Sequence, residues 1–89
     1  MEVIRINATW CSSCILTYKS WKEIQAKYPN NKYRELDYDK DIDEVKSFNV
    51  GDTLPVHIVF DDYGRELARF NGEVPYKKLE SELKKYLNI

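Results

Sequence analysis

Cys11 and Cys14 are the only two cysteines in the chain, and they stand three apart in Trp10-Cys11-Ser12-Ser13-Cys14. A bridge between them closes too short a loop to staple a fold. What remains is chemistry: exchange with other disulfides, or metal binding. Tetrahedral zinc takes four Cys or His ligands, and His57 is the only histidine. One copy therefore cannot close such a site, and no metal is expected unless two copies share one. Close-spaced cysteines in a reducing compartment serve catalysis or metal binding more often than structure. The bland alternative is a buried pair without chemistry.

The elements around the pair decide between these readings. Residues 3–8 alternate and carry β-branched side chains, as a strand does. Residues 11–28 read as a helix, with Thr17, Trp21, Ile24 and Tyr28 on one face and Pro29 stopping it. The cysteines thus fall where a strand feeds a helix N-terminus. Free N–H groups and the positive dipole end there favour a thiolate. Cys11 is the expected nucleophile, and Cys14, one turn deeper, the sulfur that resolves a mixed disulfide. A redox-active Cys11–Cys14 disulfide then needs no bound cofactor.

Further along, residues 33–39 read as a second strand. Asp41 and Glu44 have capping-box spacing for a short helix with Ile42, Val45 and Phe48 inward. Val56–Phe60 is nearly all apolar, as in a strand buried on both faces. A turn at Asp61-Asp62-Tyr63-Gly64 leads into a partner strand over 66–70. Pro75 opens a last helix, with Tyr76, Leu79, Leu83 and Leu87 on one face and Lys84 and Lys85 toward its C-terminus. The order β-α-β-α-β-β-α predicts one α/β domain over residues 1–89: a four-stranded mixed sheet, first strands parallel, last pair antiparallel, helices on both faces.

Composition narrows the function classes. The net charge is −1, with 33% charged residues. Neither a nucleic-acid surface nor a basic membrane patch is expected from that balance. No apolar run of about 18 residues exists to span a membrane, and the first residues lack signal-peptide regions. The expected setting is cytoplasmic and the expected state monomeric. The acidic run from Asp37 to Glu44 lacks the glycine of a calcium loop and reads as solvated. So does the helix face carrying Lys77, Lys78, Lys84 and Lys85, offset by Glu80 and Glu82.

With these residues in place, the chain resembles the thioredoxin superfamily over nearly its whole length. It lacks the extra N-terminal strand and helix of full-length thioredoxins and is closer to glutaredoxins in size. Trp10-Cys11 followed by Cys14 is similar to the thioredoxin active-site signature. Leu54-Pro55 resembles the family's cis-proline, and Gly72 stands where thioredoxins carry a glycine. The resemblance implies that Pro55 is cis and lies against the cysteines, with the Leu54 backbone binding substrate peptide. Without it, Pro55 reads equally as a strand-entry proline. Trp10 is expected on the surface, packing on substrate, and Trp21 in the core. His57 is expected to be structural, since dithiol exchange needs no imidazole.

Three departures stand out. The resemblance implies a buried aspartate six residues before the first cysteine and a lysine on the next strand; this chain has Arg5 and Glu35. The double inversion suggests an Arg5–Glu35 ion pair beneath the site, with Glu35 taking a proton from Cys14 and Arg5 favouring thiolate. Alternatively, both side chains reach solvent. Ser12-Ser13 replaces Gly-Pro between the cysteines, and Ile15 stands where a basic residue is usual.

The expected function is that of a protein disulfide oxidoreductase acting on disulfide-containing proteins and recycled by a thioredoxin-reductase-like enzyme. A glutaredoxin-like protein drawing on the glutathione system is the rival. Thr53-Leu54-Pro55 fits it, whereas Asn71-Gly72-Glu73 matches its glutathione motif only in part. A non-catalytic binding module on the same fold is the alternative from another class.

Overall fold

The computed structural model describes residues 1–87. The elements are β1 (Glu2–Asn7), α1 (Ser12–Lys27), β2 (Lys32–Asp37), α2 (Ile42–Ser47), β3 (Val56–Phe60), β4 (Glu66–Asn71) and α3 (Tyr76–Leu83). This is the expected order. The expected domain extends two residues further, and residues 88 and 89 lie outside the described ones.

The strands form one sheet in the order β2-β1-β3-β4. β1 and β2 are parallel, with Arg5 opposite Glu35. β3 runs antiparallel to β1, with Arg5 opposite His57, and β4 antiparallel to β3. Parallel pairing thus holds for the first two strands and ends there. The segment after α2 brings the chain across to the other side of β1, where β3 enters from the opposite end.

Strand alternation splits the core into two layers. Ile4, Ile6, Leu36, Val56 and Ile58 face α2 and its Val45. Val3 and Val59 face the other way, onto Trp21 and Ile24 of α1 and Leu79 and Leu83 of α3. Each inner strand is therefore buried on both faces, as the nearly unbroken apolar run in β3 required. Trp21 is fully buried, with Tyr33 set edge-on to its ring at 5.5 Å. α3 ends at Leu83, before the expected Leu87, yet Leu87 is still buried in the same layer.

The expected capping box on α2 does not form. Asp41 is the N-cap residue but makes no capping bond. Its Oδ2 instead accepts from the Asp37 N–H at 2.8 Å. Asp37 Oδ1 in turn accepts from Asp39 and Lys40. The turn after β2 takes up the carboxylates that local spacing offered to the helix.

Among the described residues, no helix is long and apolar enough to cross a membrane.

Candidate active site

β1 ends at Asn7, and four residues later Cys11 caps α1 in an extended backbone conformation. Its Sγ accepts the Cys14 N–H at 3.2 Å. A sulfur thus takes the place of the usual Ser or Asp cap oxygen, facing the free N–H groups of the first turn. Cys14 lies one turn in. Both cysteines are buried, Cys14 more deeply.

The Cys14 thiol is pushed up to about 11, first by burial and then by its hydrogen bond with the Cys11 side chain. The Ala8 backbone and the charge of Arg5 act the other way. Cys14 therefore keeps its proton at neutral pH while Cys11 holds the more polar, helix-capping position.

Leu54 packs into the same buried cluster as Cys11 and Cys14, and the Leu54–Pro55 bond is cis. The Pro55 carbonyl accepts the Gly72 N–H at 2.8 Å. Gly72 has φ +84, and a Cβ there would stand 3.2 Å from Thr53 Cγ2. The glycine is needed for both its backbone conformation and the close approach.

Trp10 is 58% exposed. Its ring lies 5.9 Å from Tyr38, edge to face, and its Nε1 donates to Asp39 Oδ2 at 2.7 Å. On the other side of the cysteines, Ile15, Leu16 and Tyr18 are exposed. Between them and β1 is an apolar hollow of about 330 Å³, lined by Asn7, Ala8, Thr9, Cys14, Ile15 and Tyr18. The cysteine pair is thus flanked along the chain by exposed Trp10 and Ile15, with the hollow beside Cys14.

Beneath the pair lies an arrangement that differs from the expected one. Arg5 is fully buried. Its Nη2 donates to the Cys14 carbonyl at 2.7 Å and to Thr17 Oγ1 at 3.3 Å, and its Nη1 meets His57 Nε2 at 3.3 Å. The Tyr18 ring lies 5.8 Å from the guanidinium carbon.

Glu35 does not join this group. It shares a face with Arg5, as parallel register requires, but it is exposed and makes no ion pair with Arg5. β2 is an edge strand, and α1 covers the neighbouring β1 position instead. The guanidinium therefore turns to the start of α1. The expected ion pair and the proton-accepting role for Glu35 lose their geometry together; a Coulombic attraction at longer range remains.

His57 is also buried, against Trp21 at a ring separation of 5.6 Å. An arginine can only donate, so Nε2 is the acceptor and the ring proton sits on Nδ1. Burial, then the charge of Arg5, holds the imidazole down to about 3. Sequence reasoning placed His57 as structural but missed that it and Thr17 are the partners of Arg5. The one signal was an arginine between two isoleucines in the middle of an apolar strand. Asp39 as the partner of Trp10 had no local signal, being 29 residues away.

Among the described residues, no three His, Cys, Asp or Glu side chains come together as metal ligands would.

Comparison with known proteins matches residues 1–85 to the family model described as thioredoxin. A curated relative, thioredoxin H8 of Arabidopsis thaliana, is 36% identical over 84 residues, which is 94% of this chain and 55% of that protein. The chain thus spans about half the length of the curated relative it matches. Among solved structures, the germline-specific thioredoxin Deadhead of Drosophila melanogaster is similar with a TM-score of 0.86 and 26% identity, covering 96% of this chain and 79% of the other. Reduced Schistosoma mansoni thioredoxin pre-protein gives a TM-score of 0.85 at 26% identity, over 96% and 77%.

Proposed function

The chain belongs to the thioredoxin family, and from that premise we propose that it is a thiol–disulfide oxidoreductase reducing disulfides in proteins. The observation that carries this is the cap itself: Cys11 Sγ sits at the mouth of α1 and accepts the Cys14 N–H, with the second sulfur one turn behind.

Cys11 is the nucleophile. Its thiolate attacks one sulfur of a substrate disulfide, forms a mixed disulfide and expels the other sulfur. Cys14 then attacks Cys11 Sγ. The Cys11–Cys14 bond forms, the bond to substrate breaks, and the proton from Cys14 ends on the departing sulfur. A reductase dithiol restores the reduced pair. The electrons stay on sulfur throughout, so the proposal requires no prosthetic group.

Trp10, Ile15 and the apolar hollow beside Cys14 form the proposed docking surface for the substrate chain. The backbone of Leu54 at the cis-Pro55 bend lines up that chain. Association with an extended apolar segment of a protein substrate suits this surface better than a small polar thiol does. The proposed setting is the cytoplasm and the proposed state a monomer.

Reduction of insulin disulfides tests the activity. The protein should accelerate insulin precipitation with dithiothreitol as donor, and Cys11→Ser should abolish the acceleration. Supplying electrons through thioredoxin reductase and NADPH should sustain turnover better than glutathione with glutathione reductase. A preference for glutathione would assign the protein to the glutaredoxin-like alternative. No turnover from any donor would leave a binding module.

A further inference from the structure

Arg5 is a buried cation that has no carboxylate hydrogen-bond partner among the described residues. A charge taken out of water is costly unless it is paired. The groups facing it are Cys11, Cys14 and Tyr18 from the start of α1, His57 from β3 and, at longer range, Glu35 from β2. His57 is neutral, Tyr18 offers its ring, and Glu35 is exposed. The three hydrogen-bond partners of the guanidinium are a carbonyl, a hydroxyl and an imidazole nitrogen. None carries charge. Among the described residues two sources of negative charge act on Arg5: exposed Glu35, screened by water, and the buried redox pair, which supplies its charge only when reduced.

We propose that Arg5 is a positioning residue for the redox reaction: its buried guanidinium, bonded to the Cys14 carbonyl beneath the cysteine-bearing turn, stabilises by its charge the thiolate of the reduced pair and so favours the reduced form over the disulfide. This deepens the thiol–disulfide exchange proposed above and rests on it. The balance is as follows. A donor dithiol gives two electrons to the Cys11–Cys14 bond, which breaks, and the donor becomes a disulfide. One donor proton goes to Cys14 and the other to solvent, leaving Cys11 as the thiolate. The disulfide has no charge to offer Arg5, whereas the thiolate has one. Stabilising the thiolate therefore moves the equilibrium toward the reduced protein and makes the pair a stronger oxidant.

The hydrogen bond to the Cys14 carbonyl ties this charge to the cysteine-bearing turn. Thr17 supports the same placement. It accepts from Arg5 while donating to the Ser13 carbonyl at 2.6 Å.

The test is the thiol–disulfide equilibrium with dithiothreitol at fixed pH, measured for the native protein and for Arg5→Met, Arg5→Gln and Arg5→Lys. Loss of the charge should shift the equilibrium toward the disulfide by about tenfold, which corresponds to about 30 mV. Thiolate absorbance of the reduced protein should appear at higher pH in the two neutral variants. Arg5→Lys should stay within about threefold of native, since lysine keeps the charge but loses the guanidinium fork. Unchanged equilibria in the neutral variants overturn the proposal. So does a lysine variant that shifts as far as methionine, because Arg5 would then act only by shape.

If both neutral variants fail to fold, the native protein decides. Its reduced form should gain stability relative to its oxidised form as pH rises through the thiolate titration; a difference that does not change with pH overturns the proposal. These equilibria need no protein substrate, so failure of insulin reduction leaves them intact and separately readable.

Discussion

Lowering the pH from 7 to 5 should destabilise this protein through one residue, His57. In the unfolded chain its imidazole titrates near the ordinary value of 6.5, whereas in the folded protein burial and the Arg5 charge hold it at about 3. Between those values the unfolded state binds one proton that the folded state refuses. Stability must therefore fall as pH falls through this window, with a limiting slope of about 1.4 kcal/mol per pH unit. Integrated from pH 7 to 5, one such imidazole removes about 2 kcal/mol. The range from pH 7 to 5 ends well above the native titration, so this figure depends mainly on the unfolded value. The carboxylates held below their usual range, Asp37, Asp61 and Glu80, are half-buried and contribute mainly below pH 5. Urea unfolding at successive pH values reads the effect directly. With a slope of about 1–2 kcal/mol per M, the midpoint should drop by roughly 1–2 M. His57→Gln keeps an oxygen to accept from Arg5 but does not titrate. It should cost stability at pH 7 and flatten the dependence from 7 to 5. A variant as pH-sensitive as the native protein would refute the reasoning.

The other predictions concern the site and the frame that holds it. Cys14→Ser should trap a mixed disulfide between Cys11 and a substrate protein, visible as a reducible higher-mass species, whereas Cys11→Ser should trap none. Ile58→Ala opens a cavity in the fully buried centre of β3 and should cost about 2–5 kcal/mol in urea unfolding. Gly72→Ala must place a side chain at φ +84 and within 3.2 Å of Thr53 Cγ2. It should cost about 1–2 kcal/mol and slow insulin reduction by disturbing the Pro55 bend.

The parts of this molecule that were legible in sequence are those written in neighbouring residues. A strand running straight into a helix at Cys11 carries its own signal, and so does the apolar run of β3. The cis bend at Leu54-Pro55 needed the family resemblance, because a proline before a strand is ambiguous by itself. What stayed hidden depends on contacts between distant elements. Arg5 and Glu35 do face each other across β1 and β2, as an ion pair would require. Whether α1 covers both positions or only the inner one is a tertiary matter, and it covers only Arg5. The sequence also could not foretell that Asp41 would turn back to the Asp37 N–H and leave α2 uncapped, or that Trp10 would anchor on Asp39. Each of these is a competition between partners separated along the chain, settled by packing.

Site-resolved alkylation tests the central claim most directly. The reduced protein is treated briefly with iodoacetamide at pH 7 and digested, and each cysteine is quantified by mass spectrometry. The account predicts rapid modification of Cys11, with Cys14 nearly untouched until the protein is unfolded. Equal labelling of the two cysteines, or a Cys11 as slow as a thiol in a denatured chain, would contradict it.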